Sequence, residues 1–261
     1  MSILESIILG LIQGLTEFLP VSSSGHLEIG HAIFGIDQGS NLTYDLALHG
    51  ATVLSTIVVF WKEISELFLG LFKFKWTESN KYVAMLLLSA IPAGIAGVLF
   101  NDQIETLFTG NLLVVGCMLL ATATLLCFAN FYRKGTRKIG FVDSLIIGIA
   151  QMVALMPGLS RSGATIATGM LIGNDKSQLA KFSFLMVIIP ILGANFLKIV
   201  GGDLSSETSV DLVPLLAGAT AAFVAGLAAC KWMINIVKKG KLIYFAIYCA
   251  IIGIVAITVA A

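Results

Sequence analysis

QGLTEFLPVSSSGH, residues 13–26, places an acid, a run of serines and an imidazole in a chain whose composition otherwise predicts lipid around it. Glu17 is the only charge between Glu5 and Glu28. An ionisable group at membrane depth costs roughly 2.5–3.5 kcal/mol or more, so it faces a cavity or a partner. Pro20 and Gly25 bracket Val21, Ser22, Ser23 and Ser24, which ends one helical pattern and frees backbone N–H groups. At membrane depth such a break needs protein or a water-filled cavity around it. The stretch predicts a broken helix with a loop at its tip.

Of the 261 residues, 57% are hydrophobic and 12% charged, with a mean hydropathy of +0.96. Soluble domains carry about 25% charged residues, so the composition is that of an integral membrane protein in a lipid bilayer. A net charge of +1 gives no overall attraction to nucleic acid, which is excluded as a partner class. No Lys or Arg precedes Lys62, so a cleaved signal peptide is not expected. Cys117, Cys127, Cys230 and Cys249 lie in apolar runs without metal or redox spacing and are expected as buried packing residues.

Outward from the first stretch, residues 3–19 and 24–35 are apolar but each too short to span, since a crossing needs about 20 mainly apolar residues. Segments near 44–61, 83–100 and 112–129 follow; then comes a second broken pair near 141–173, and runs near 180–200, 212–234 and 243–260. The expected fold is all-α: six transmembrane helices and two re-entrant helix pairs in one membrane domain, 1–261. Gln13 to Gly25 and Gln151 to Gly163 share one spacing, and at the same offset Gly10 matches Gly148 and Gly35 matches Gly173, with Pro20 and Pro157 one position out of register. A re-entrant pair plus three crossings carries the chain across once per half, so 1–135 and 136–261 are expected as inverted copies. Gly94, Gly97 and Gly226 read as close helix contacts.

Charge tests this topology independently. The connections at 62–82, 130–140, 174–181 and 235–242 hold Lys62, Lys73, Lys75, Lys81, Arg133, Lys134, Arg137, Lys138, Lys176, Lys181, Lys238, Lys239 and Lys241. Those at 1–43, 101–111 and 201–211 hold none, although they carry Asp102, Glu105, Asp203 and Glu207. All the basic connections fall on one side of the expected topology, which the positive-inside rule makes cytoplasmic. Both termini and the mouth of the 13–26 stretch are then outside.

The second broken segment reads PGLSRSGAT, residues 157–165, and Arg161 is the only charge between Asp143 and Asp175. A guanidinium there needs an anion. Its planar fork matches phosphate oxygens, and Ser160, Ser162, Gly163 and Thr165, with loop N–H groups around Gly158, can complete a cradle. The plainer reading is that Arg161 pairs with Glu17 to hold the two tips together, and an unliganded pair that opens for a ligand is compatible with both. Ser23 and His26 lie three apart, on one face of a helix that begins at the serines, a nucleophile-and-base arrangement of weak specificity. Ser22, Ser23 and Ser24 also suit a helix N-cap. Glu17 and Gln13, one turn apart, offer oxygen ligands to a divalent cation, magnesium or calcium; Gln13 equally suits an interhelical hydrogen bond, to Gln151 for example. His31, His49 and Asn195 are isolated in apolar surroundings and are expected in packing or helix-to-helix hydrogen bonds.

Together QGLTEFLPVSSSGH and PGLSRSGAT resemble the two signature motifs of the bacterial undecaprenyl-diphosphate phosphatase family, also called the bacitracin resistance protein family, in the right order and with matching segments over essentially the whole chain. The resemblance implies an enzyme that hydrolyses a phosphoric anhydride, undecaprenyl diphosphate, to the monophosphate at the outer face of the bacterial cytoplasmic (inner) membrane. It also implies recycling of the lipid carrier for peptidoglycan synthesis, and bacitracin resistance. The polyprenyl diphosphate would bind Gln13, Ser22, Ser24, Ser160, Ser162, Gly163 and Thr165, with Glu17, Ser23, His26 and Arg161 catalytic and a cation at Glu17 and Gln13. The family has Glu or Gln at the first of these positions; Gln13 leaves one carboxylate in the motif. A homodimer is compatible with the chain, and the rival reading is a flippase for a polyprenyl phosphate lipid that uses the same Arg161 cradle.

Overall fold

The computed structural model describes residues 1–36, 42–72, 76–100, 103–104, 106, 110–132, 135–201, 211–239 and 241–260. Lys73, Lys75, Arg133, Lys134, Asp102, Glu105, Asp203 and Glu207 lie outside them. The described chain is helical throughout, apart from turns and an isolated bridge between Arg137 and Asn174.

α1 (Ile3–Thr16) starts with a capping box: Glu5 N–H donates to Ser2 Oγ at 3.2 Å, and Ser2 N–H donates to Glu5 Oε2 at 2.7 Å. It stops at Glu17, and residues 17–22 are non-helical because Pro20 disfavours helix at the residue before it and lacks an N–H of its own. α2 (Ser23–Phe34) then runs to Gly35, whose φ of 64° closes the helix in the left-handed region. With 14 and 12 residues, the two helices are about 21 and 18 Å long at 1.5 Å per residue, short of a hydrocarbon core of about 30 Å. α3 (Leu42–Val59) and α4 (Trp61–Leu71) are divided at Phe60, and α5 (Glu78–Leu99) and α6 (Leu112–Phe131) follow.

The second half opens like the first. α7 (Phe141–Val153) is capped by Asp143, whose Oδ2 accepts from Gly140 N–H at 3.0 Å, and α8 (Arg161–Leu171) begins after a non-helical stretch at 154–160. α9 (Lys176–Met186) and α10 (Ile188–Gly201) meet at Val187; α11 (Leu212–Lys239) and α12 (Ile243–Ala260) complete the chain. Both breaks expected from the prolines are thus present. α4 was not expected, since its acidic and basic residues read as a connection, and α11 runs past residue 234 into its lysines.

Among the described residues, five stretches are long and apolar enough to cross a membrane: Glu78–Leu99, Leu112–Phe131, Lys176–Leu197, Leu212–Val237 and Ile243–Ala260. The expected crossing near 44–61 is the shorter apolar helix Thr43–Val59. Large side chains such as Leu87, Ile91 and Ile95 on α5 and Ile247, Ile251 and Ile254 on α12 are exposed. A soluble monomer rarely shows so much contiguous apolar surface, so the chain is a multi-pass membrane protein.

The halves interlock. α1 packs along α11 while α7 packs along α5, and α6 pairs with α12. Small residues permit these approaches: a Cβ on Gly10 would run into the Gly218 carbonyl oxygen, and one on Gly148 into that of Ser89. Gly226 is a close contact too, since a Cβ there would come 2.7 Å from Ser55 Oγ. Gly94 and Gly97, expected in the same role, face open space, because α5 turns Ser89, Ala90, Ala93 and Ala96 inward instead. Cys230 and Cys249 are buried as expected, but Cys117 is exposed and Cys127 half-buried.

Candidate active site

The two breaks bring their tips together. A Cβ on Gly25 would lie 3.0 Å from Gly158 Cα, so the loop before α8 passes directly over the first turn of α2. The tips are built alike. Ser22 Oγ accepts from Gly25 N–H at 3.2 Å and Ser160 Oγ accepts from Gly163 N–H at 3.1 Å, so the first serine of each motif is an N-cap. The Ser22–Ser24 and Ser160–Ser162 hydroxyl pairs are each 3.3 Å apart. Helix starts leave N–H groups unpaired and carry partial positive charge, so two of them facing one space favour an anion.

Glu17 sits between the tips, 8% exposed, and is held from three sides. Its Oε1 accepts from Arg161 Nη2 at 2.5 Å; its Oε2 accepts from Ser23 Oγ at 2.6 Å and from Gln13 Nε2 at 2.9 Å. Phe18 fixes the next position by packing edge-on against Phe184, ring centres 5.4 Å apart. Arg161 also donates from Nη1 to the Ser183 carbonyl at 3.1 Å. The pairing of Arg161 with Glu17 is therefore present, and Gln13 spends its amide N–H on Glu17 rather than on Gln151.

These groups open on a cavity of about 310 Å³. Its polar lining includes Glu17, Ser22, Ser23, Ser24, Gln151, Ser160 and Arg161, and Ala93, Leu155, Leu159, Val187, Pro190 and Ile191 are apolar neighbours in the same wall. Charged and hydroxyl groups together with apolar side chains in one cavity suit an amphiphile with a small anionic head.

Not all the expected residues meet there. His26 lies away from Ser23: its Nδ1–H donates to the Ser22 carbonyl at 2.8 Å, and its Nε2 is 2.8 Å from the Tyr248 hydroxyl, with the rings stacked. Ser22 itself has φ 68°, the positive φ of a non-glycine residue among the described residues, and local strain of that kind persists where surrounding contacts hold it. Ser162 Oγ donates to the Leu19 carbonyl at 3.1 Å, and Thr165 Oγ1 reaches Ser183 Oγ at 2.6 Å, so both tie the loops to their surroundings.

Two residues expected in packing line the cavity instead, His49 and Asn195. His49 donates from Nδ1–H to the Asp45 carbonyl at 2.8 Å, which leaves Nε2 as the end that faces Glu17 Oε2, 3.9 Å away. His31 is buried, with Nε2 3.5 Å from Asp45 Oδ1. Their separation from both motifs in sequence hides these placements, which depend on how α3 and α10 pack.

For a metal ion, no group of three or more His, Cys, Asp or Glu is arranged as a site among the described residues. Glu17 and Gln13 place side-chain oxygens beside the tips, and Gln13 Oε1 is buried without a hydrogen-bond partner among the described residues.

A relative from Parabacteroides distasonis, named undecaprenyl-diphosphatase, is 58% identical over 98% of each chain. One of the same name from Bacteroides fragilis is 57% identical over 98% of this chain and 97% of its own. Undecaprenyl-diphosphatase 1 of Shouchella clausii is 38% identical over 97% and 95%. The family model described as bacitracin resistance protein BacA matches residues 6–255, so the chain belongs to that family.

Proposed function

We propose that this protein hydrolyses undecaprenyl diphosphate to undecaprenyl phosphate and inorganic phosphate, which recycles the lipid carrier for cell-wall synthesis and confers bacitracin resistance. The observation that carries the reading is Glu17 held between Ser23 and Arg161 at the mouth of two helix N-termini. The diphosphate takes the place of the Glu17 carboxylate on Arg161, whose fork then meets phosphate oxygens together with the first-turn N–H groups of α2 and α8. Glu17 Oε2, 2.6 Å from Ser23 Oγ, takes the serine proton as that oxygen attacks the terminal phosphorus. The phosphorus–bridging oxygen bond breaks, its electron pair leaves with the lipid monophosphate, and water then cleaves the phosphoserine to free phosphate and return the proton to Ser23. Ser22, Ser24, Ser160, Ser162, Gly163 and Thr165 shape the loops that present these donors, and His26 holds the Ser22 carbonyl beside the nucleophile.

A divalent cation, magnesium or calcium, would be held by Glu17 and Gln13 Oε1 with the diphosphate supplying further oxygens, and would offset the charge of the head group. The halves 1–135 and 136–261 are read as inverted repeats, supported by the matched caps at Ser22 and Ser160 and by the reciprocal packing of α1 on α11 and α7 on α5. The pairs α1–α2 and α7–α8 are then read as re-entrant, and the lysines and arginines of the connections support a site on the outer side of the cytoplasmic membrane. The test is phosphate release from undecaprenyl diphosphate by purified protein in detergent, where no gradient exists. Release supports an enzyme, and none would leave a carrier of the same lipid.

A further inference from the structure

Gln151 on α7 lines the same cavity as Glu17, Ser23 and Arg161, is 2% exposed, and has no hydrogen-bond partner among the described residues at either Nε2 or Oε1. A buried amide left wholly unpaired is costly, and native interiors rarely carry one without a purpose. The repeat explains how it arises. Gln13, at the equivalent place in the first half, gives its N–H to Glu17 four residues on, whereas the residue four after Gln151 is Leu155, which cannot accept. Packing then keeps the amide in place: Gly148, one turn earlier, lets α7 close onto Ser89 of α5, and Ala93, one turn beyond Ser89, lines the cavity with a methyl that offers no hydrogen-bond partner.

We propose that Gln151 is a binding residue for the diphosphate head group, donating from Nε2 to a phosphate oxygen. This rests on the phosphatase reading above. A polyprenyl diphosphate carries polar atoms at its head alone, so an amide in this cavity finds a partner there and nowhere along the apolar tail. Of the two ends of the amide, Nε2 faces the phosphate, because Oε1 would be repelled by it; Oε1 accepts from a water that enters with the head group. A hydrogen bond to a charged acceptor in a low-dielectric site is stronger than one between neutral groups, so its loss is large enough to measure.

The test uses Gln151→Leu, similar in size and apolar, in the purified full-length protein. Undecaprenyl diphosphate reports turnover and a methylene-bridged prenyl diphosphonate reports binding. Because the wild-type amide has no partner in the free protein, the variant should melt at or above the wild-type temperature. Its KM and its Kd for the diphosphonate should both rise about tenfold or more. Wild-type affinity and kcat/KM in the variant would overturn the proposal, as would a loss of activity that tracks a lower melting temperature. A fall in kcat with unchanged diphosphonate affinity also overturns it, since the residue would then serve the reaction step. Failure of the phosphatase reading is separate: there the wild-type protein itself releases no phosphate.

Discussion

Glu17 and Arg161, one from each half of the chain, meet at 2.5 Å between Oε1 and Nη2, and both are largely buried. A buried pair of this kind is poor evidence for stability in itself, because desolvation offsets the attraction, yet removal of one partner strands the other charge at a cost of about 3–5 kcal/mol. The pair makes sense as the resting state of a site whose ligand is an anion. On the proposed reading, Glu17 holds the guanidinium until phosphate replaces the carboxylate.

Glu17→Gln keeps the shape and removes the charge. Arg161 then lacks its counter-ion and Ser23 lacks a proton acceptor, so phosphate release should fall by about 100-fold or more, on the scale of a lost general base. If Glu17 also holds a cation, the residual activity should respond to magnesium or calcium differently from wild type. Titration of both metals against phosphate release checks this, and an unchanged metal response would leave Glu17 without that role.

Gly10→Ala should destabilise without touching the site. The added methyl would run into the Gly218 carbonyl, a backbone atom that cannot swing aside, so overpacking of about 1–3 kcal/mol is expected. Gly148→Ala should do likewise against Ser89. Gly94→Ala, which meets open space, is the control. Melting curves in detergent compare all three, and equal stability of Gly10→Ala and Gly94→Ala would count against the α1–α11 packing.

His26→Ala removes the ring that holds the Ser22 carbonyl beside Ser23, and should chiefly lower kcat. Tyr248→Phe leaves that hold in place and loses the contact at Nε2, so it should stay within a few-fold of wild type. Equal damage from both would place the function at the Nε2 end of the ring. A rise in KM alone for His26→Ala would argue for a binding role.

Orientation is tested by cysteine labelling from outside intact cells, motivated by basic residues on one set of connections and none on the other. In a background without the native cysteines, a probe at Ser205, which lies outside the described residues, should label and one at Thr136 should not. The reverse pattern would overturn the inverted-repeat assignment.

Much of this was legible in the chain because local chemistry determined it. Pro20 and Pro157 stand beside Ser- and Gly-rich turns and there separate two helices, whereas Pro92 sits inside α5 without ending it; a serine before a glycine-containing turn caps the next helix, and a lone charge in lipid must find its opposite. The remainder needed tertiary packing. His49 and Asn195 look like stray polar residues on apolar helices, and reach the cavity only through the way α3 and α10 lie. Spacing put Ser23 and His26 on one helix face, yet Ser23 turns to Glu17 and His26 to Tyr248 of α12, a partner no local pattern announces. Gly94 and Gly97 resemble contact glycines, but burial chose the neighbouring serine and alanine face.

Arg161→Lys is the most discriminating substitution. Arg161 donates from Nη2 to Glu17 and from Nη1 to the Ser183 carbonyl, so its fork is fixed at two points before any ligand arrives. Lysine keeps the charge but offers one compact ammonium, which can meet Glu17 and cannot also grip a phosphate by two parallel bonds. If the clamp stabilises the transition state, kcat/KM should fall nearly as far for Arg161→Lys as for Arg161→Ala, on the order of 100-fold or more. The melting temperature should separate the two, since lysine still neutralises Glu17 and alanine strands it. A structural Arg161 gives the opposite pattern: lysine restores activity, and alanine loses activity in step with folding. Phosphate release measured beside a melting curve for both variants decides, and an active Arg161→Lys protein would sink the clamp.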